Sequence, residues 1–249
     1  MAIIVFQHAE SEHPGRLGDE LRRLGVRLDI RRLDLPAGPG SQGNKHVPPD
    51  FDEVEGVISL GGPMMVSDHL PWMQPEMDFL AEAHRRQVPL VGVCLGAQLI
   101  AKALGGEVSA LASGKPEWGM LPVRQHPVAN TDIILAGVPW TTPQFHCHGQ
   151  EVSKLPAGAA TLQYSDACKV QSYRVGLRTY AFQYHFECSL ADMRGHLFSG
   201  DAQIAQAGID PSAAFADAKA QYETYDRVSR RLCENLAMYL FMAASPVPA

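Results

Sequence analysis

The chain has 249 residues, 46% of them hydrophobic, and 27 acidic against 21 basic side chains give a formal charge of −6. That length allows one large α/β domain or two small ones, with enough chain to bury a substantial core. No Lys/Arg run offers nucleic acid or an anionic membrane a partner, and no apolar stretch approaches a membrane span.

The segment Met1-Ala2-Ile3-Ile4-Val5-Phe6 is apolar at once and lacks a basic n-region, so it reads as a first strand rather than a signal peptide. Five cysteines, odd in number and without a Cys-x-x-Cys pair, fit reduced thiols in a cytoplasmic protein.

In chain order, Ala2–Phe6 is a short buried strand, and Gln7–Pro14 is a polar loop whose His8 and His13 are expected to be solvated. Leu17, Leu21 and Leu24 predict a helix over Gly15–Leu24, ended by Gly25. Val26–Leu33 alternates as a half-exposed strand, and Pro36–Pro49 is loop. Val54–Leu60 is a third strand, followed at once by Gly61-Gly62-Pro63-Met64. Paired glycines at the carboxyl end of a strand let a backbone N–H approach a ligand, although the same tripeptide is often only a turn. Pro71–Gln87 reads as a helix. The alternation βα, β, βα, βα predicts an open, mostly parallel α/β sheet with helices on both faces. Neither a dinucleotide fingerprint nor a phosphate-cradling Gly-x-x-x-x-Gly-Lys is present, so no cofactor is expected.

Val88–Gly105 carries the first chemical signal. Val88–Val93 is a buried strand; Leu95, Leu99, Ile100, Ala103 and Leu104 recur at helical spacing; Gly105-Gly106 stops the helix. Cys94 stands at the junction between Gly92 and Gly96, the cysteine form of a nucleophile elbow. A thiol at a helix N-terminus faces unpaired N–H groups that favour the thiolate, and the Leu95 N–H points to where an oxyanion forms. A buried core cysteine in a glycine-rich turn is the plainer alternative.

From Gly106 to Gln183 short strand-like runs follow: Glu107–Leu111, Met120–Arg124, Asp132–Leu135, Ala160–Tyr164, Lys169–Tyr173 and Thr179–Tyr184. They suggest antiparallel additions to the same domain. Ser189–Ser199 is a helix, and Asp210-Pro211 caps a last helix that can run Pro211–Met242 with an aromatic stripe for packing. One domain over 1–249 is expected, with a C-terminal helical extension over about 201–243. Cys168, Cys188 and Cys233 are expected to be packing or surface thiols, and Trp118 a core anchor.

Thr179–Glu187 reads as a strand ending His185-Phe186-Glu187. Residues i and i+2 share a strand face, so Glu187 can hold and charge-balance the His185 imidazole. With Cys94 this makes a Cys–His–Glu nucleophile set. A metal pair is the competing reading, and His146-Cys147-His148 is the dense source of a third ligand. An α/β-hydrolase is disfavoured, because there the acid precedes the histidine.

Here the sequence resembles the class I (triad) glutamine amidotransferases, in pattern like the amidotransferase domain of GMP synthase. Gly92-Val93-Cys94-Leu95-Gly96-Ala97-Gln98 looks like that family's Gly-x-Cys-x-Gly-x-Gln motif. Phe182–Glu187 is similar to its Gln-Phe-His-Pro-Glu signature, Gly61-Gly62-Pro63 to its Gly-Gly-Pro segment, and His148-Gly149-Gln150-Glu151-Val152 to its His-Gly-Asp-x-Val stretch. Phe186 departs from proline and Gln150 from aspartate.

The resemblance implies a flavodoxin-like fold and hydrolysis of the glutamine amide through a Cys94 thioester. It implies an oxyanion between the N–H groups of Gly62 and Leu95, and substrate contacts at Gln98, Cys147, Gly149 and Gln150. A synthetase partner subunit is then expected to hold any ammonia acceptor. A γ-glutamyl hydrolase or peptidase would use the same acyl chemistry on a larger leaving group. A catalytically silent binding scaffold is the third reading, opposed by the intact Cys94, His185 and Glu187. Phe186 is expected to point away from the triad, while Met64, Met65 and the Gln7–Pro14 loop can reshape the acceptor side.

Overall fold

The computed structural model describes residues 1–35 and 46–244. The expected 36–49 loop therefore lies largely outside the described residues; 46–49 form turns and bends. The first half alternates as its sequence pattern requires. It contains β1 (Ala2–Gln7), α1 (Gly15–Arg23), β2 (Leu28–Arg32), β3 (Val54–Ser59), α2 (Met73–Arg85), β4 (Leu90–Val93) and α3 (Leu95–Ala103). The second half adds β5 (Glu107–Ala110), β6 (Glu117–Gln125), β7 (Thr141–His148), β8 (Gln150–Lys154), β9 (Ala159–Tyr164), β10 (Ser172–Val175) and β11 (Thr179–Phe182). Helices α4 (Leu190–Leu197), α5 (Ala202–Ala207) and α6 (Pro211–Asn235) follow.

Nine strands form one sheet in the order β2-β1-β3-β4-β11-β10-β9-β6-β7. β2, β1, β3, β4 and β11 run parallel, and the pairs from β11 out to β7 are antiparallel. β5 and β8 make a separate antiparallel pair. The alternation of side chains along β1 divides the core. Ile3 and Val5 pack with Leu17 and Leu21 of α1 and Leu232 of α6 on one face. Ile4 and Phe6 pack with Phe79 and Leu80 of α2 and Leu99 of α3 on the other. No helix among the described residues is long and apolar enough to cross a membrane.

Several elements differ from expectation. Asp132–Leu135 is not a strand: the Asp132 carboxylate accepts the Ile134 N–H at 3.0 Å and winds Ile133–Leu135 into a 3-10 turn. β10 begins at Ser172 rather than Lys169. β11 ends at Phe182, and only a lone bridge from His185 to Phe145 continues it. α6 leaves α-geometry at Leu236 and continues to Phe241 as a wider π-turn. Strands β7 and β8 and helix α5 lack the apolar alternation or length that announces such elements.

Candidate active site

The site gathers at the carboxyl ends of four neighbouring parallel strands, β1, β3, β4 and β11, where open α/β sheets hold ligands. β4 runs into Cys94, whose φ of 50° and ψ of −107° lie outside the regions side chains prefer, and α3 starts at the next residue. The turn is held by the Cys94 N–H on the Phe182 carbonyl at 2.8 Å and the Gly96 N–H on the Leu60 carbonyl at 3.0 Å. Both flanking glycines are required. A Cβ on Gly92 would come within 2.6 Å of Ile100 Cδ1, and one on Gly96 would strike the Ser59 carbonyl.

After β11 the chain turns so that Phe182, Tyr184 and Phe186 pack together in the core, with the Phe182 and Phe186 rings 4.9 Å apart. Phe186 thus points away from the polar side. On that side His185 Nδ1 lies 2.6 Å from Glu187 Oε1, with both side chains buried. The pairing forms although β11 stops short of it. Burial works against a charged imidazole, but the Glu187 carboxylate outweighs it, helped by the sulfurs of Cys147, Cys188 and Cys94, and the His185 pKa is raised well above its ordinary value. Burial likewise opposes ionised Glu187, yet His185 holds that carboxyl below the usual range. Cys94 is buried, 5% exposed, and its sulfur contacts the Cys147 carbonyl at 3.8 Å. A hypothetical Cβ on Gly61 would fall 2.9 Å from the His185 ring, which puts the Gly61-Gly62 turn against the imidazole.

The expected substrate residues converge. Gly62, Leu95, Gln98, Cys147, Gly149 and Gln150 border one narrow cleft with Cys94, and Met64, Met65 and Gln203 close its rim. Gln98 donates to the Gln150 carbonyl at 3.2 Å and to Gln183 Oε1 at 3.1 Å, tying α3 to both later segments. The Gln150 side chain accepts the Val66 N–H at 3.1 Å.

Sequence reading missed three contributors. Gln203 reaches the rim from α5, too short for a periodic signal. Tyr225, buried on α6, donates to the His185 carbonyl at 2.9 Å and the Cys188 carbonyl at 3.1 Å, so the aromatic stripe does more than pack. His8 is not solvated: it is wholly buried, with Nε2 2.9 Å from Glu76 Oε2. Cys188 is buried beside the His185–Glu187 pair, 3.6 Å from Glu187 Oε1, and all five cysteines are free thiols.

Among the described residues, Glu117, His146 and His148 form a second buried group whose ligand atoms could hold a metal. β7 turns both imidazoles to the face opposite Cys147. Glu117 and His148 are matched internally, whereas His146 Nε2 is buried without a hydrogen-bond partner. His148 donates Nδ1–H to the Gln150 carbonyl at 2.9 Å and lies 3.1 Å from Glu117 through Nε2, and Ser165 and Gln171 also donate to Glu117. Burial opposes ionised Glu117, but His148 and His146 outweigh it and hold the carboxyl at about 2. Burial holds His146 at about 3.

Comparisons with known proteins bear on the family and the fold. A family model described as glutamine amidotransferase class-I matches residues 15–202. A glutamine-hydrolyzing GMP synthase subunit of Sulfolobus acidocaldarius is 36% identical over 123 residues, 49% of this chain and 61% of that protein. Its Archaeoglobus fulgidus counterpart is 32% identical over 186 residues, 74% of this chain and 87% of that protein. The crystal structure of a glutamine amido transferase from Methylobacillus flagellatus superposes with a TM-score of 0.79 at 26% identity, covering 96% of this chain and 95% of that one. A strand-to-helix cysteine, a buried His–Glu pair and a family match across three-quarters of the length lead to one assignment: the chain belongs to the class I glutamine amidotransferase family.

Proposed function

We propose that this chain hydrolyses the side-chain amide of glutamine through a Cys94 thioester. His185 holds the proton drawn from the Cys94 thiol while Cys94 Sγ attacks the amide carbon. The oxyanion is held by the N–H groups of Gly62 and Leu95; the latter opens α3 and has no intrahelical acceptor. The C–N bond breaks, His185 returns the proton to nitrogen, and ammonia leaves. Water then adds to the thioester with His185 as base, releasing glutamate and the thiol. Glu187 fixes the imidazole tautomer and favours the imidazolium that forms in each half.

The observation carrying this reading is the 2.6 Å His185–Glu187 pair, whose imidazole lies against the Gly61-Gly62 turn that borders the cleft with Cys94. Gln98 and the 147–150 backbone border the cleft where the amino-acid end of the substrate is placed. Residues 1–249 act as one domain in this reading, with the 201–243 helices supporting the His185 turn. By analogy with relatives named as one subunit of a glutamine-hydrolyzing GMP synthase, a separate synthetase subunit carries the ammonia acceptor. Ammonia release from glutamine, measured beside turnover of γ-glutamyl peptides, tests the reading; faster turnover of the peptides reassigns the substrate.

A further inference from the structure

His8 follows β1, is fully buried, and belongs to none of the motifs that mark the elbow or the His-x-Glu end. Its Nδ1 lies 3.1 Å from the Leu60 carbonyl and 3.0 Å from the Gly61 carbonyl. Its Nε2 lies 2.9 Å from Glu76 Oε2, and the other Glu76 oxygen accepts the Ser59 hydroxyl at 2.7 Å. Carbonyls and carboxylates only accept, so both ring nitrogens carry hydrogen. The ring is stacked on Trp72 at 4.8 Å, which leaves it little freedom to turn.

The two carbonyls matter because of what shares their peptide groups. In a trans peptide the C=O and the next N–H point in opposite directions. Fixing the Gly61 carbonyl on His8 therefore sends the Gly62 N–H the other way, and Gly62 borders the cleft with Cys94 and Leu95. Turning that peptide over would set the Gly62 N–H against the His8 N–H, donor against donor. The Leu60 carbonyl also accepts the Gly96 N–H at 3.0 Å, so one oxygen joins the Gly61-Gly62 turn to the first turn of α3.

We propose that His8 is a positioning residue that clamps the Leu60 and Gly61 carbonyls from a base on Glu76 and so holds the Gly62 N–H toward the Cys94 cleft, ready for the oxyanion. This rests on the reading of Gly62 as an oxyanion donor. Burial opposes a doubly protonated ring; Glu76 and the Gly61 carbonyl outweigh it, and the His8 pKa is raised.

Two substitutions separate positioning from simple stabilisation. His8→Asn places an amide N–H where Nδ1 stands and loses the Glu76 contact. His8→Gln reaches Glu76 and loses the donor to the carbonyls. The proposal expects H8Q to lower kcat for glutamine by about 10²-fold, as for a lost oxyanion donor, with KM nearly unchanged. It expects H8N to keep kcat within about tenfold of wild type. Crystal structures of both variants read the same point without activity: the Gly61-Gly62 peptide turns in H8Q and stays in H8N. An unchanged kcat and an unturned peptide in H8Q overturn the role of His8, as does a greater loss in H8N than in H8Q. A wild-type protein that releases no ammonia defeats the glutaminase reading instead, and the peptide orientation in the two crystals still decides what His8 does.

Discussion

The Tyr225 hydroxyl donates to the His185 carbonyl at 2.9 Å, so a residue on the last long helix holds the backbone that carries the His185 imidazole. The same hydroxyl takes the Cys188 carbonyl, and Arg16 of α1 reaches that carbonyl while pairing with Asp226 of α6 at 2.6 Å. Helix α6 begins at Pro211, beyond the stretch matched by the family model, yet it braces the turn that carries His185 and Glu187. Tyr225→Phe leaves the His185 carbonyl without its donor, while Arg16 still serves the Cys188 carbonyl. The expected cost is about 1–3 kcal/mol in urea unfolding, with a lower kcat and little change in KM. An equal stability and kcat would remove Tyr225 from the account.

Gly96→Ala tests the elbow. The added methyl would run into the Ser59 carbonyl and lie 2.6 Å from the Ser59 hydroxyl, both on a buried strand. Neither neighbour is the free end of a flexible side chain. We expect a loss of about 3 kcal/mol or more, above the usual range for an overpacked core, and no measurable turnover. Wild-type thermal stability in this variant contradicts the geometry of the turn.

Glu187→Gln tests the charge on the pair. Without the carboxylate, burial dominates and the His185 pKa falls from its raised value. Turnover should drop by up to about 10⁴-fold, as when a triad acid becomes its amide. The pH dependence of Cys94 alkylation should shift with it; an unaltered profile shows that Glu187 does not govern His185.

The Glu117–His146–His148 group predicts acid sensitivity. Glu117 titrates at about 2 in the fold against 4.5 for the free side chain, so its contribution is present above 4.5 and is lost as pH falls toward 2. His146 titrates at about 3 against 6.5, so below 6.5 the unfolded chain takes up a proton that the fold refuses. Both make the unfolded state the stronger proton binder, and stability rises with pH across that window. The urea midpoint should fall steadily from pH 6.5 to pH 3, and less steeply in His146→Asn. A flat midpoint contradicts the assignment.

These elements show which parts of the site the sequence announces. Val88–Leu104 is plain because an apolar run, two glycines and a helical repeat agree, and β4, Cys94 and α3 follow it closely. His185 and Glu187 share a face as i and i+2 residues do, although the regular strand ends three residues before His185. Other features depend on partners far along the chain. β7 carries Pro143 and two histidines, and its polar residues are tolerated inside because Glu117 of the adjacent strand faces them. His8 is apolar in neither type nor pattern; it is buried because Glu76 and two carbonyls take its hydrogens. Tyr225 differs from its packing neighbours only by where its hydroxyl ends.

The most direct test is to quench the protein during turnover of glutamine and locate the acyl group by mass spectrometry, beside ammonia release by wild type and Cys94→Ala. The account predicts a glutamyl adduct on Cys94 alone and loss of ammonia release in the variant by at least about 10⁴-fold. Ammonia release that survives Cys94→Ala, or an adduct on Cys147 or Cys188 in place of Cys94, contradicts it.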